Sequence, residues 1–486
     1  MRICPRIRRV KLCGPVALAA LCAGCLHVPP YQKPVAAVPP AYKEPPPEGW
    51  KQAQPSDELL RGKWWEIFGD PALNALEEQV AVSNQNVLQL EAQYRDAVAA
   101  VKVARSALSP LVTGSASATG QQGSSRLLSA TGAHPIGVYD IPVNASWTYD
   151  LWGSIHRTVA ASANTAQASA AQLESAKLLY QSELAQDYFQ MHGADGDAAL
   201  LADTVKSYQE YLTLTRNRFA GGVASDSDVA QAETQLYTTQ AELVDVEEQR
   251  AQLEHAIAIL IGKPPSELTI SRLPIQLRPP RIPVGVPSAL LERRPDVAQA
   301  EREAAAANQQ IGIAMAAFYP TLTLAASAGV ESSNFINWIT WPSRFWSLGP
   351  QLAQILFDAG KRKGQLEEAQ ASYDATVANY KQTVLTAFQQ VEDNLAALRV
   401  LANESMVLDQ AVSSAKRSVD VSTAQYKGGT ASYLQVITVQ TIALADEKSA
   451  VDLLTRRMTA SVLLIQALGG GWEVSSLPTV QDVGMK

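Results

Sequence analysis

The amino-acid sequence contains two copies of one pattern, and this internal repeat restricts the folds that the chain can adopt. The stretch 86–110 aligns with 296–320, and beyond it equivalent positions lie 207 residues apart. Gly153 aligns with Gly360, and the turn FAGGVAS at 219–225 aligns with YKGGTAS at 426–432. An offset that stays constant to the end of both copies predicts two structurally equivalent halves.

Each half contains a segment with the alternation of β-strands. In TLTLAASAGV, from Thr321 to Val330, small or polar residues alternate with mostly larger apolar ones, and Pro320 precedes the run. A period of two residues over this length predicts a strand. We predict two strands in each half, at about 111–126 and 139–151 in the first and at about 321–333 and 344–357 in the second.

A long helical segment follows each strand pair. Residues 154–219 have one apparent interruption, HGADGD, and would span roughly 100 Å as a helix at 1.5 Å per residue. The segment that returns from the turn carries apolar residues at spacings of three, four and seven, which predict a coiled-coil seam. These residues are Val229, Ala232, Leu236, Leu243, Val246, Leu253, Ile257 and Leu260.

The N-terminus has the features of an export signal. A basic stretch precedes a short apolar run at 16–22, and small residues follow it. Residues 1–24 are therefore predicted to be a cleaved signal peptide, and the run is too short for a permanent membrane span. The segment LCAGC resembles the lipobox of bacterial lipoproteins, which implies a covalent lipid on Cys25, although Cys22 stands where that pattern usually has leucine.

The rest of the chain divides where its composition changes. Residues 25–60 are rich in proline, which predicts a lipid-anchored, semi-extended tether with no fold of its own. A first repeat at 61–262 and a second at 288–469 are separated by a linker at 263–287, and residues 470–486 form a C-terminal tail.

Several classes of protein are improbable on residue placement alone. All four cysteines lie in the first 25 residues, which excludes a disulfide framework or a cysteine-based site in the mature chain. The five histidines are scattered without metal-ligand spacing, and the sequence has no phosphate-binding glycine loop or nucleophile motif. A net charge of −7 argues against binding to nucleic-acid phosphates. We therefore expect no enzyme, no metal, no cofactor apart from the lipid, and no nucleic-acid partner.

Four strands per chain leave two explanations open. Their length and one-sided apolar character are typical of transmembrane strands, and the aromatic residues between 333 and 345 favour a membrane interface. Unpaired strand edges are not tolerated in lipid, and four strands are too few to close a barrel. Either the strands form a sheet in a soluble protein, or several chains share one barrel.

The segment IPVGVPSALLERRPDVAQAE at 282–301 resembles the signature segment of the bacterial outer membrane factor family, the TolC-like channels, and specifically the NodT-type outer-membrane efflux lipoproteins. Further segments resemble the family in the expected order and cover nearly all of residues 60–470: WWEIFGDPALN, WTYDLWGS, ELAQDYFQM, SLGPQLAQILFDAGKRKGQ and YKQTVLTAFQQVEDNLAAL. The resemblance implies a mainly α-helical fold with a transmembrane β part, in which helix, strand, strand, long helix and helix occur twice. Three chains would close one twelve-strand β-barrel that continues into a coiled-coil α-helical barrel.

The same resemblance implies a function in export. A homotrimer, lipid-anchored in the outer membrane and extending into the periplasm, would meet a periplasmic membrane-fusion adaptor and an inner-membrane pump, in this subgroup of the resistance–nodulation–division (RND) type. The tripartite efflux pump would export drugs or other small toxic compounds. The alternative is a lipid-anchored periplasmic coiled-coil adaptor or scaffold without a pore, which would have one hairpin instead of two repeats with strand pairs.

The resemblance also assigns a role to the repeated turns. They would form the periplasmic tips of helical hairpins, where glycine reverses the chain at little cost and serine caps the returning helix. The residues expected to contact the adaptor are Gly221, Gly222, Val223, Ala224 and Ser225 in the first half and Gly428, Gly429, Thr430, Ala431 and Ser432 in the second. The other explanation is that these are only the turns that any helical hairpin needs.

A candidate gate combines residues of both tips. Family members usually place a ring of carboxylates on the second returning helix, but this chain has Thr438 at that position. Asp226 and Asp228 could replace that ring, because three copies of each around a pore would favour cations, or they could only complement a helix dipole. Tyr426 and Lys427 could add hydrogen bonds that hold the tips closed.

Overall fold

The computed structural model of the chain describes residues 30–45, 62–122, 135–274, 278–282, 284, 287–479 and 482–483. The predicted signal peptide at 1–24, the predicted lipid site Cys25 and parts of the tether, linker and tail lie outside these residues. The chain divides into two compact units. One includes residues 100–163 and 305–375, and the other consists of residues 34–99, 164–304 and 376–486.

Both halves place short helices first, strands next, and a long helix followed by a returning helix last. The first half contains α1 (Pro71–Ser83), α2 (Gln85–Ser106), β1 (Leu111–Gly114), β2 (Ser117–Gln121), β3 (Ile136–Tyr149), α3 (Ser154–Ala220) and α4 (Asp226–Leu260). The second contains α5 (Leu290–Arg293), α6 (Pro295–Ala316), β4 (Thr321–Ser332), β5 (Arg344–Ala353), α7 (Lys361–Lys427) and α8 (Tyr433–Ala467). The long helices have 67 residues each and the returning helices 35 each, so the repeat extends to element lengths. Among the described residues, none of these helices combines the length and the apolar composition needed to cross a membrane.

The strands form one antiparallel sheet in the order β1–β3–β4–β5, in which β2 also pairs with β3. The pairing of β3 with β4 joins the two halves, from Tyr139 opposite Ser332 to Tyr149 opposite Leu322. One edge of the sheet consists of β1 and β2, and the other edge is β5. The first edge therefore belongs to the first half of the chain and the second edge to the second half.

The first predicted strand, 111–126, is corrected by the structure to two strands, β1 and β2, while positions 123–126 lie outside the described residues. Both strands keep a single register against β3, and the gap between them faces Pro142. Ser115 donates its backbone N–H to the Pro142 carbonyl at 3.2 Å, but proline has no N–H to donate in return. Pro142 of β3 therefore interrupts the hydrogen-bond ladder between β3 and the first predicted strand.

The other strand bounds differ from the prediction by a few residues. The strand predicted at 139–151 occupies Ile136–Tyr149, and the one predicted at 321–333 ends at Ser332. The strand predicted at 344–357 ends at Ala353, which pairs with Thr321. The next partner would be Pro320, which cannot donate to the ladder.

The two faces of the sheet differ in chemistry. Residues directly opposite each other on neighbouring strands share a face. One face carries apolar or small residues, and its members on β5 are highly exposed: Trp346 (79%), Leu348 (75%) and Leu352 (65%). The opposite face is polar, and Asn144 and Ser327 bond across it at 2.7 Å. The predicted alternation therefore produces a sheet with one uncovered apolar face.

The HGADGD segment at 192–197, which the sequence suggested as an interruption, is helical throughout in α3. A Cβ at Gly193 would lie 3.2 Å from Thr455 Cγ2, and a Cβ at Gly196 would lie 3.1 Å from Val451 Cγ1. The glycines therefore serve the close approach of α3 to α8, which outweighs their cost of about 1 kcal/mol each in a helix.

The tether is packed over part of its length. Tyr42 and two smaller apolar residues of 34–45 pack against the core of the helical unit. The backbone N–H groups of Lys43 and Glu44 both donate to the Glu392 carboxylate, at 2.7 and 2.9 Å, and Arg399 pairs with Glu44 at 2.5 Å. Residues 34–45 therefore lie against the helical unit although they form no helix or strand of their own, because Glu392 satisfies two of their backbone N–H groups.

One carboxyl group in the core has no partner. Glu77 of α1 is fully buried, and neither of its carboxyl oxygens has a hydrogen-bond partner among the described residues. Burial raises the pKa of Glu77 well above its ordinary value of 4.5. The folded chain therefore keeps a proton that the unfolded chain releases near pH 4.5, and stability falls as the pH rises above that value.

We expect Glu77→Gln to raise the midpoint of thermal unfolding at pH 7.5 by about 2 °C. Glutamine is neutral in both the folded and the unfolded chain, so its burial does not carry the free-energy cost of protonating a carboxylate. The gain should shrink towards pH 5, where the carboxyl group is protonated in the folded chain at little cost. The neighbouring Glu78, which is half-exposed and pairs with Lys63, supplies the matched control Glu78→Gln. An equal gain for Glu77→Gln at both pH values would contradict the assignment of a protonated carboxyl group.

Candidate functional site

The two hairpin tips have the same backbone geometry. At the first, Gly222 N–H donates to Phe219 O at 2.9 Å and Val223 N–H to Arg218 O at 2.8 Å. The second repeats both bonds 207 positions later, from Gly429 to Tyr426 at 3.0 Å and from Thr430 to Gln425 at 2.9 Å. This pair of bonds is the Schellman motif, which requires a left-handed residue, and Gly222 and Gly429 have φ of 74° and 78°.

Serine residues begin both returning helices. Ser225 accepts from Asp228 N–H at 3.2 Å and donates its own N–H to the Asp228 carboxylate at 2.9 Å, which forms a capping box. Ser432 accepts from Gln435 N–H at 3.4 Å. In this structure the Asp228 carboxylate therefore caps α4, while Asp226 in the same turn is exposed.

A small buried cluster lies just behind the tips. We call it the tip cluster, and it contains Tyr208, Leu212, Ala232, Leu236, Tyr426, Tyr433 and Val436. Its members come from α3 and α4 of the first half and from α7 and α8 of the second, so it joins the two hairpins of one chain. Burial raises the pKa of Tyr208 and of Tyr433, and both phenols remain protonated hydrogen-bonding groups at neutral pH.

Arg218 makes two contacts with Tyr426 of the other hairpin. Its guanidinium carbon lies 4.6 Å from the centre of the Tyr426 ring, and its Nη1 donates to the Tyr426 carbonyl at 3.0 Å. The Tyr426 hydroxyl lies 3.3 Å from Thr215 Oγ1, and Tyr426 is only 3% exposed. A second pair, Tyr211 and Thr423, bonds at 2.9 Å. These contacts together form what we call the tip lock.

The structure brings some of the predicted tip and gate residues together and separates others. The four glycines and both serines of the turns are exposed, as contact with a partner requires, and so are Val223 and Thr430, whereas Ala224 and Ala431 are partly buried. Tyr426 lies inside the tip cluster, whereas Lys427 next to it is exposed. Thr438, in place of the usual carboxylate, donates to Leu434 O at 2.8 Å within its own helix. The sequence of α8 has no charged residue before Asp446.

Sequence reasoning missed the partners that α3 supplies, above all Arg218 and Tyr211. A usable signal was present in the repeat, because the equivalent positions of the second half are Gln425 and Ser418. Comparison of the two halves therefore singles out these positions as places where the repeat is not followed. Within the described chain, no group of three or more His, Cys, Asp or Glu side chains could hold a metal ion.

Comparisons with known proteins agree on one family. The family model described as outer membrane efflux protein matches residues 76–263 and 286–470. The chain is 30% identical over 467 residues to the solvent efflux pump outer membrane protein SrpC of Pseudomonas putida, across 95% of this chain and 98% of the relative. It is 28% identical over 417 residues to the pyoverdine export outer membrane protein OpmQ of Pseudomonas aeruginosa, across 85% and 88%. The structure of the outer-membrane channel OprN superposes with a TM-score of 0.83 at 27% identity, across 92% of this chain and 100% of that one.

Proposed function

This chain belongs to the outer membrane efflux protein family, and we propose that it forms its channel as a homotrimer. As a member of the family it is the outer-membrane channel component of an efflux pump. The observation that carries the trimer proposal is the open sheet, whose edges are β1 with β2 on one side and β5 on the other. Bare strand edges cost several kcal/mol per group in lipid, and pairing each β5 with the next chain's β1 and β2 removes them.

We further propose that the exposed tips dock on a periplasmic adaptor, which links the channel to an inner-membrane pump of the RND type. The two turns of each chain share one backbone geometry, so three chains present six equivalent tips. Val223 and Leu434 are 70% and 59% exposed, and they offer apolar contacts next to the glycine turns. Around the trimer, Val223 and Leu434 would alternate as apolar contacts for the ends of the adaptor hairpins.

The proposed cargo is small toxic organic molecules, including drugs. Relatives are named for the efflux of solvents, toluene among them, and for the export of pyoverdine, which differs chemically from those solvents. Because similar channels are named for such different cargo, we propose that the channel has little selectivity of its own and that the pump selects. We also propose acylation of Cys25, because the mature chain retains one cysteine and it lies in the lipobox-like segment. No catalytic step is part of this proposal.

The tip lock supports a closed resting state in the proposed channel. Opening would require the hairpins of one chain to separate, which breaks the Arg218 contacts with Tyr426. A cation–π contact and a hydrogen bond from a charged donor together contribute about 1–2 kcal/mol or more per chain. Arg218→Met should therefore raise the open fraction about tenfold in single-channel recordings of the purified trimer in a planar bilayer.

The matched control lies two residues away. Arg216 pairs with Glu233 at 2.6 Å on the surface of the first hairpin, and this ion pair lies within that hairpin. Arg216→Met removes the same charge and should leave the open fraction unchanged. Equal behaviour of the two variants would contradict the lock. The absence of any current from both the wild-type protein and Arg218→Met would contradict the pore itself and favour the adaptor alternative.

A further inference from the structure

The connection between β4 and β5 exposes apolar side chains and has no charged residue. We call residues 333–343 the aromatic loop. Four of its large apolar residues are 65–86% exposed: Phe335, Ile336, Ile339 and Trp341. The loop is nevertheless held in place, because the rings of Phe335 and Trp338 lie 5.4 and 5.5 Å from that of Tyr139 on β3. The exposed residues are therefore presented on a supported scaffold.

Arg344 follows the aromatic loop as the first residue of β5. It lies directly opposite Val330, so its side chain is on the apolar face of the sheet, which also carries Trp346 and Leu348. Of the strand residues that the structure describes, Arg344 is the one charged residue on that face. It lies at the end of the strands away from the helices, where a membrane-spanning sheet reaches the headgroup layer.

The Arg344 guanidinium is stacked and unpaired. Its central carbon lies 3.3 Å from the centre of the Trp341 ring. Among the described residues no carboxylate lies within ion-pair distance of it. Arg344 is also exposed, so its guanidinium is accessible to a ligand from outside the protein. A cation on a lipid-facing surface is costly unless an anion pairs with it.

We propose that Arg344 and the aromatic loop bind the phosphate group of an anionic lipid headgroup. The guanidinium fork matches two phosphate oxygens, and indole rings prefer the same interfacial layer. Trp341, Ile336 and Ile339 would lie against the lipid next to that headgroup. The apolar face of β5 continues directly into this surface, so the lipid that covers Trp346 and Leu348 also reaches Arg344. The proposal depends on the outer-membrane location of the chain, not on its trimeric state or cargo.

Native mass spectrometry of the full-length protein, released from detergent with equal amounts of phosphatidylglycerol and phosphatidylcholine, tests this proposal. The wild-type protein should retain phosphatidylglycerol in preference, and Arg344→Gln should reduce that preference about tenfold. Trp341→Ala should weaken it as well. Lys361→Gln, which removes an exposed cation from the first turn of α7 at the other end of the sheet, should leave it unchanged.

Three results would overturn the proposal. The first is the absence of any preference between the two lipids in the wild-type protein, and this measurement does not depend on the folding of a variant. The second is an Arg344→Gln protein that is fully assembled and keeps the wild-type preference. The third is displacement of the lipid by millimolar inorganic phosphate, which would make this a site for a free anion instead of a lipid surface. None of these results bears on conductance, which separately tests the proposed channel.

Discussion

Gly469→Ala is expected to abolish the folded, assembled protein. Gly469 ends α8 with φ of 95°, and a Cβ at this position would lie 2.7 Å from the Arg293 carbonyl carbon and closer still to its oxygen. Both atoms belong to the Arg293 backbone, so the clash cannot be relieved by a change of side-chain rotamer. We expect a loss of more than about 4 kcal/mol, which exceeds the effect of most single substitutions. The fraction of detergent-extracted protein that migrates as an assembled species, compared with total protein, measures this loss.

The first half contains the equivalent contact. Gly262 ends α4 with φ of 71°, and a Cβ there would lie 2.9 Å from the Ser83 carbonyl carbon. Gly262 and Gly469 are 207 positions apart and Ser83 and Arg293 are 210 apart, which are the two offsets of the sequence repeat. In each half, the glycine that follows the returning helix therefore lies against the last residue of the half's first helix, α1 or α5. Gly262→Ala should be as damaging as Gly469→Ala.

Gly429→Ala is the matched control for both. Gly429 also has a positive φ, 78°, but a Cβ there would meet no atom within 4 Å. Its substitution costs only the strain of the left-handed conformation, about 1–2 kcal/mol, and should leave most of the protein assembled. If Gly469→Ala and Gly429→Ala assembled equally well, the close backbone contact would have no structural importance.

The sequence predicted the fold class because its main signals are local or periodic. The period-two alternation of TLTLAASAGV needs only ten consecutive residues, and the repeat offset needs only comparison of the chain with itself. The interruption between β1 and β2 could not be predicted, since its cause is Pro142 in a different strand. The helical HGADGD segment was misread for a similar reason, because the side chains that require its glycines belong to α8.

The tip was predicted in part on the same grounds. Turn glycines and capping serines act within a few residues, and the sequence placed them correctly on the repeated turns. The partner of Tyr426 is Arg218, which lies 208 positions away, and no local pattern connects the two. Asp228 was one of two candidates for a gate carboxylate. The Ser-x-x-Asp spacing, however, is that of a capping box, which Ser225 and Asp228 form.

Asp195→Ala is expected to destabilise the helical unit by about 3–5 kcal/mol. The buried Asp195 carboxylate accepts from Arg250 Nε at 2.8 Å, from the Leu273 backbone N–H at 3.1 Å and from His192 at 3.2 Å. Arg250 also donates to Ile270 O at 2.6 Å. The group therefore holds the inter-repeat linker against α3 and α4, and its loss leaves a buried guanidinium with Glu254 as its remaining carboxylate.

The pH dependence of the wild-type protein should show the same group. Burial acts to raise the pKa of Asp195, but the hydrogen bonds from His192, Arg250 and the Leu273 amide outweigh it and lower the pKa below its ordinary 3.8. A lowered folded-state pKa contributes stability above pH 3.8 that is lost as the pH falls through the folded value. Denaturation midpoints below pH 4 should therefore fall less steeply in Asp195→Ala than in the wild-type protein.

The second half supplies the control for this prediction. Arg457 is the repeat equivalent of Arg250, but Ala402 stands where the first half has Asp195, and Arg457 bonds instead to Ser405 Oγ at 3.1 Å. Arg457→Met should change the unfolding midpoint little, because no buried carboxylate loses its partner. The double variant Asp195→Ala/Arg250→Met should recover part of the stability lost in Asp195→Ala, because it removes the buried guanidinium, while the Glu254 carboxylate keeps the bond from the Ile270 backbone N–H at 2.6 Å. Additive losses in the double variant would instead show that each side chain acts through packing and not through their ion pair.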